Sequence, residues 1–340
     1  SCAVAAMTFL GPAGAWTEDE RQRYLIWMLQ LAQERLERDK QAAGEEATGA
    51  VARQLLADVE ALRCPEVGLG VGRWARMIEH HHYERHRMWA ENLGFCDQNG
   101  LWTEGCGVMC PLRAAAVGLS TGLGFGKRVL DIGSACGHFA RWYHTWFGAA
   151  TLGVDFVERA VNFSEAQRPR GSPMKFCWAD VATGGLAWLP ERFFDLATAV
   201  SVLHYMRTDV NLFELKLLRN GSRQQRWNVT RTPCSGLAAT EGTQCRAARE
   251  MFRSVRAGGR IWVSHNGCYN GKWDPKRVWG PEYWRCCFRP ELRAKEAELM
   301  ELPEADLFLH DGDFDPTYSL VVLRLPSAES PVLPQVAVLA

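Results

Sequence analysis

The chain has 340 residues, 47% hydrophobic and 23% charged, with equal numbers of basic and acidic side chains. That length allows one large domain, or one domain with a sizeable extension, and the composition is ordinary for a globular protein. A formal net charge of zero excludes a global attraction to nucleic acid or an acidic membrane, and no apolar run is long enough to cross a bilayer.

The twelve cysteines are too sparse for a disulfide scaffold, and no two CxxC pairs stand at zinc spacing. They are expected to be mostly reduced and buried, which suits a cytoplasmic, intracellular protein. The chain starts without Met, and its mildly apolar first residues lack a basic n-region. That start is compatible with a fragment that has lost a targeting segment.

The first third reads as helical. Thr17 and Glu20 stand at capping-box spacing, and Tyr24, Leu25, Trp27, Met28, Leu31 and Leu36 then recur at near-helical intervals up to Lys40. A polar break is expected over 42–49, a second helix over 52–62 and a third over 74–93. A Gly- and Cys-rich loop over 94–110 then leads to a short helix over 111–119. His80, His81, His82 and His86 have metal-like spacing, but a solvated helix face explains them better.

From Lys127 short apolar strands alternate with helical stretches, the pattern of βαβ units. Strands are expected over 128–132, 151–155, 175–178, 194–200 and 260–264. A closing pair is expected over 306–310 and 318–325, and a helix over 137–147. The fold class is therefore α/β: a Rossmann-like, seven-stranded, mostly parallel sheet with helices on both faces, preceded by an N-terminal helical extension. The expected domains are the extension at 1–120, the α/β domain at 121–326 and a loose tail at 327–340. Residues 220–244, polar and without periodicity, read as a disordered insertion.

Four strand ends carry chemistry. Asp131-Ile132-Gly133-Ser134-Ala135-Cys136-Gly137 follows the first strand and opens a helix. Its small residues let a ligand approach the backbone, the helix N-terminus suits a carboxylate, and Asp131 suits an ammonium group. Asp155 ends the second strand, about twenty residues beyond the glycine turn, where a carboxylate can accept hydrogen bonds from ribose hydroxyls. Asp180 and Val181 follow the third strand, where a carboxylate can meet an adenine amine. Ser201 and His204 follow the fourth.

This series resembles the class I S-adenosylmethionine-dependent methyltransferase family over about 127–325. Asp131, Gly133 and Gly137 match its first motif, Asp155 its ribose position, Asp180 its adenine position and residues 200–204 its segment after the fourth strand. Ala135 stands where many members have glycine. A nicotinamide domain would want G-x-G-x-x-G, which this turn lacks.

The resemblance implies an enzyme that uses S-adenosylmethionine, held by Asp131, Gly133, Ser134, Gly137, Asp155, Phe156, Asp180, Val181 and Ser201. His204 and His265 are the candidate bases, should the acceptor need one. No metal is expected. Ser201-Val202-Leu203-His204 replaces the Pro-Pro-Tyr/Phe motif of the amino-group nucleic-acid enzymes and resembles members that act on small molecules. The expected partner is a small-molecule methyl acceptor, with no nucleic acid. A protein acceptor, a non-catalytic cofactor-binding scaffold and an aminopropyl-transferring relative are the alternatives; the last lacks acidic residues over 201–205. The aromatic stretch over 271–288 could wall a substrate pocket or serve packing.

Overall fold

A computed structural model describes residues 17–65, 109–181, 185–200, 202–203, 214–217, 223–226, 243–265, 281–301 and 318–326. Seven strands form one sheet. They are β1 (Arg128–Ile132), β2 (Ala150–Asp155), β3 (Met174–Trp178), β4 (Phe194–Val200), β7 (Val255–His265), β8 (Ala297–Glu301) and β9 (Tyr318–Arg324), in the order β3-β2-β1-β4-β7-β9-β8. The first five strands in that order run parallel to their neighbours, and β9 pairs antiparallel with both β7 and β8. The order reverses at β1, so a crevice opens between the carboxyl ends of β1 and β4.

Alternation along the buried strands sends side chains to two faces. Leu130, Ile132, Leu152, Val154, Ala197, Ala199, Ile261 and Val263 pack on one face with Met251 and Phe252 of α6 (Thr243–Ser254) and with Trp284 and Cys287 of α7 (Pro281–Cys287). α2 (Glu45–Ala61) lays Leu55 and Val59 against Ala150. On the opposite face Val129, Leu196, Trp262 and Val321 meet Ala32 of α1 (Glu18–Ala43), Ala114 and Val117 of α3 (Met109–Ser120), and Tyr143 and Phe147 of α4 (His138–Phe147). α5 (Glu158–Ala166) covers Met174 and Phe176 through Val161.

The helical start follows its sequence signal. Glu20 N–H donates to the Thr17 hydroxyl, and the Glu20 carboxylate accepts from Thr17 N–H at 2.7 Å. The break over 42–49 shrinks to one residue, Gly44, at φ 80°, with Glu45 and Glu46 in the first turn of α2. Acidic side chains there complement the helix dipole. The turn at 257–259 is an irregularity inside β7. Val255 pairs with Phe194 and Arg260 with Leu196, so 256–259 bulge out of the ladder. Residues 306–310 lie outside the described residues. The strand that pairs with β9 is 297–301, nine residues earlier than expected.

The stretch 220–244 is not structureless throughout. Arg223–Arg226 forms β6, paired antiparallel with β5 (Glu214–Leu217), and α6 already begins at Thr243. Trp284 and Phe288 are fully buried core residues, which settles packing as their role; Trp273 and Trp279 lie outside the described residues. The histidine run at 80–86 and the expected helix at 74–93 also lie outside them. No helix among the described residues is long and apolar enough to cross a membrane, and none of their His, Cys, Asp or Glu side chains cluster as a metal site.

The cysteines differ from expectation. Cys136, Cys177, Cys245, Cys286 and Cys287 are buried and Cys64 is exposed, but Cys64 is bonded to Cys177 and Cys245 to Cys287, and Cys136 and Cys286 are also disulfide-bonded. A buried cysteine in sequence looks like any small apolar residue, and a partner 113 positions away leaves no local mark.

Candidate cofactor site

The glycine turn after β1 is held by its own backbone. Gly133 N–H and Ser134 N–H both donate to the Val154 carbonyl, at 2.8 and 3.2 Å, and Gly137 N–H donates to the Ser134 carbonyl at 2.8 Å. Gly133 has φ 73°, and a Cβ there would stand 2.3 Å from Cγ2 of Val202. Gly137 caps α4 at φ 72°, and a Cβ there would stand 2.6 Å from the Phe176 ring. Both positions exclude a side chain sterically as well as conformationally. Ala135 occupies the left-handed region at φ 44° despite its methyl group. The first N–H groups of α4 follow directly, with no preceding helical carbonyl to bond.

Asp155 at the end of β2 is buried. Its Oδ2 accepts from Ala135 N–H and its Oδ1 from Val157 N–H, each at 2.8 Å, and Phe156 N–H bonds the same carboxylate. Burial raises its pKa, and these three donors oppose that rise without cancelling it. The carboxylate therefore braces the glycine turn with part of its acceptor capacity; two oxygens offer about four lone-pair sites. The Phe156 carbonyl accepts from the Trp178 indole at 2.9 Å, which ties the ends of β2 and β3 together.

Asp131 is the penultimate residue of β1, 3% exposed, on the face covered by α3 and α4. Its register partner on β4 is Thr198, whose hydroxyl donates to Oδ1 at 2.8 Å. Oδ2 has no hydrogen-bond partner among the described residues, nor has the buried Ser134 hydroxyl. Burial, with help from the Asp155 charge and against the Thr198 bond, raises the Asp131 carboxyl to about 7. Tyr143 of α4 is buried beside it. Desolvation first, and the Asp131 charge second, hold its phenol well above the ordinary range, with the Arg113 charge acting in the opposite sense.

Asp131, Gly133, Ser134, Gly137, Asp155 and Phe156 thus converge at the carboxyl ends of β1 and β2. Asp180 and Val181 are buried just past β3, with Val181 in the main core. Ser201 and His204 lie outside the described residues. His265 is the last residue of β7, opposite Tyr318. Thr198 was not singled out from sequence, yet it contacts Asp131 directly. A hydroxyl in the middle of the apolar run 194–200 was the available signal, because a buried polar group needs a partner.

The two orphaned polar atoms, at the carboxyl ends of β1 and β2, fit a ligand that carries an amino acid and a nucleoside. The methyltransferase-domain family profile matches residues 130–219, the segment that contains this turn, Asp155 and Asp180. No curated protein matches the chain. Among solved structures the chain is similar to the YcgJ protein from Bacillus subtilis, at 14% identity over 63% of this chain and 98% of that one, with a TM-score of 0.40. It is also similar to a SAM-dependent methyltransferase from Aquifex aeolicus, at 11% identity over 62% and 88%, with a TM-score of 0.37. A third is an S-adenosylmethionine-dependent methyltransferase from Mesorhizobium loti, at 16% identity over 62% and 98%, with a TM-score of 0.38. Residues 130–219 are thus similar to a methyltransferase domain, on a sheet whose order reverses at β1 as in a Rossmann-like fold.

Proposed function

We propose that this protein transfers the methyl group of S-adenosylmethionine to a small-molecule acceptor. The observation that carries the cofactor assignment is the unpartnered, buried Oδ2 of Asp131 beside the turn 133–137. Asp131 would take the amino group and the first turn of α4 the carboxylate, with Gly133, Ser134 and Gly137 shaping the passage between them. Asp155 and Phe156 would take the ribose, and Asp180 and Val181 the adenine; Ser201 is assigned to the cofactor by its place in the family's motif after the fourth strand. When bound, the sulfonium supplies an activated methyl group. The chain's own part is to hold donor and acceptor in line and exclude water, which accounts for much of the rate in such transfers. His204 or His265 would accept a proton where the acceptor atom carries one.

Support for a metabolite over a nucleic acid comes from the zero net charge and from the Ser201-Val202-Leu203-His204 segment. The disulfides favour an oxidising compartment over the cytoplasmic one that composition suggests.

Calorimetric titration of S-adenosylmethionine into the purified protein, followed by a screen of small-molecule and peptide acceptors with labelled methyl donor, tests this function. Micromolar binding with turnover of a metabolite is expected. Turnover of peptides alone would move the reading to a protein-directed enzyme. Binding without turnover on any acceptor would leave a scaffold, and failure of a folded protein to bind would remove the cofactor site.

A further inference from the structure

The polar cluster beneath the glycine turn has a feature that cofactor contact alone does not require. Asp131 is closed off from solvent on the face covered by α3 and α4, and receives one hydrogen bond, from Thr198 on β4. No described cation is ion-paired with it. The groups that face it are the Asp155 carboxylate from β2 and the Tyr143 phenol from α4, with the Arg113 guanidinium from α3 acting on that phenol. A carboxylate in this setting meets one neutral donor, one like charge and little water. Its charged form is poorly supported until a cation reaches Oδ2.

Building on the cofactor assignment, we propose that Asp131 stands protonated in the empty site, that it releases this proton to solvent when the cofactor's ammonium group arrives, and that Thr198 is the positioning residue that sets the pH at which this exchange occurs. The step balances without a further reactant. The carboxyl O–H gives up its proton to water or buffer, and the resulting carboxylate faces the incoming positive charge. The carboxyl's raised value, about 7, is what the geometry leads one to expect. Thr198 opposes the rise, because its hydroxyl donates to the charged form. The cluster thereby links occupancy of the site to pH across the physiological range.

The test is titration of S-adenosylmethionine into the full chain, in buffer pairs of different ionisation enthalpy, from pH 6 to pH 8. The buffer dependence of the heat counts protons released per cofactor bound. Close to one proton is expected at pH 6, falling towards none near pH 7.5 as uptake by the cofactor's amino group offsets the release, with affinity rising about fivefold between pH 6 and pH 8 as Asp131 ionises. Above pH 8 the cofactor's own amino group, with an ordinary pKa of about 8, controls the profile. Thr198→Val, which keeps the volume and removes the donor, is expected to move the release midpoint to higher pH, and Thr198→Ser to restore it. A wild-type protein that binds the cofactor with no proton released at pH 6 overturns the proposal and leaves the cofactor site intact. An unchanged midpoint in Thr198→Val overturns the role of Thr198. A folded protein that binds nothing overturns the site itself, and this proposal with it.

Discussion

The main-chain N–H of Ala135 donates to Oδ2 of Asp155 at 2.8 Å, so the carboxylate that ends β2 also braces the turn that follows β1. Replacing Asp155 therefore does two things. Asp155→Ala leaves the N–H groups of Ala135, Phe156 and Val157 without their acceptor, at a cost of about 1–3 kcal/mol. Asp155→Asn keeps one acceptor oxygen and is expected to melt closer to wild type while losing cofactor affinity. Paired thermal melts and titrations separate the two effects. An Asp155→Ala protein with wild-type melting would show that the brace contributes nothing to the fold.

Ala135 sits at φ 44°, where its methyl group crowds the backbone. A non-glycine residue there carries strain of about 1–2 kcal/mol, partly offset by the greater freedom of glycine in the unfolded chain. Ala135→Gly is expected to leave stability unchanged or to raise it by up to about 1 kcal/mol, with cofactor binding retained. The midpoint of urea unfolding measures this. A clear loss of stability would show that the turn gains more from the methyl contact than it pays in strain.

Asp131 also leaves a mark on the stability of the empty protein. Its folded value, about 7, lies above the ordinary 3.8 that applies once the chain unfolds. The folded state holds the extra proton, so this group's contribution to stability is fully present at low pH. It declines as pH rises from about 4 to 7 and is lost above that. Asp131→Asn, which cannot ionise, is expected to unfold at higher urea than wild type at pH 8, by about 1–3 kcal/mol, while its cofactor affinity falls. The gap should narrow steadily below pH 7. A gap that is constant with pH would mean that the side chain does not titrate in this range.

Reduction of the disulfides should be costly. In a chain-entropy account, the Cys64–Cys177 bond closes a loop of 113 residues and confers at most nearly 5 kcal/mol, and the Cys245–Cys287 bond closes one of 42 and confers at most nearly 4 kcal/mol. Unfolding followed with and without a dithiol reductant, alongside Cys64→Ser and Cys287→Ser, is expected to show lower midpoints, with the longer loop losing more. Equal midpoints in oxidised and reduced protein would remove these bonds from the energetics of the fold.

The parallel half of the sheet was legible because its strands are short, buried on both faces and closed by Asp and Gly at fixed offsets. Residues 128–132 and 194–200 emerge with the bounds expected for them. The misses have physical causes. Glu45, Glu46 and Thr48 look like a loop, yet polar residues belong at the exposed start of a helix. Arg223–Arg226 is a strand with no apolar alternation, held by its ladder to Glu214–Leu217. In β8 the alternation is thin, with Ala297 and Leu299 turned to one core and Met300 to the other. Within the site, the residues that end strands could be read from spacing. Thr198 could be placed on Asp131 only through the register of β1 against β4.

Trp262, Val129 and Val321 of the sheet share one core with Ala32, Ala114 and Val117 of the N-terminal helices, and Cys64 beyond α2 is fastened to Cys177 on β3. A chain trimmed to start at Lys127 would bare that core and leave an unmatched thiol on β3. The helical stretch ahead of the glycine turn is thus a wall of the same building. The two regions are expected to be lost together on heating, in a single cooperative transition, so that catalytic competence cannot be isolated by cutting the sequence where its motifs begin.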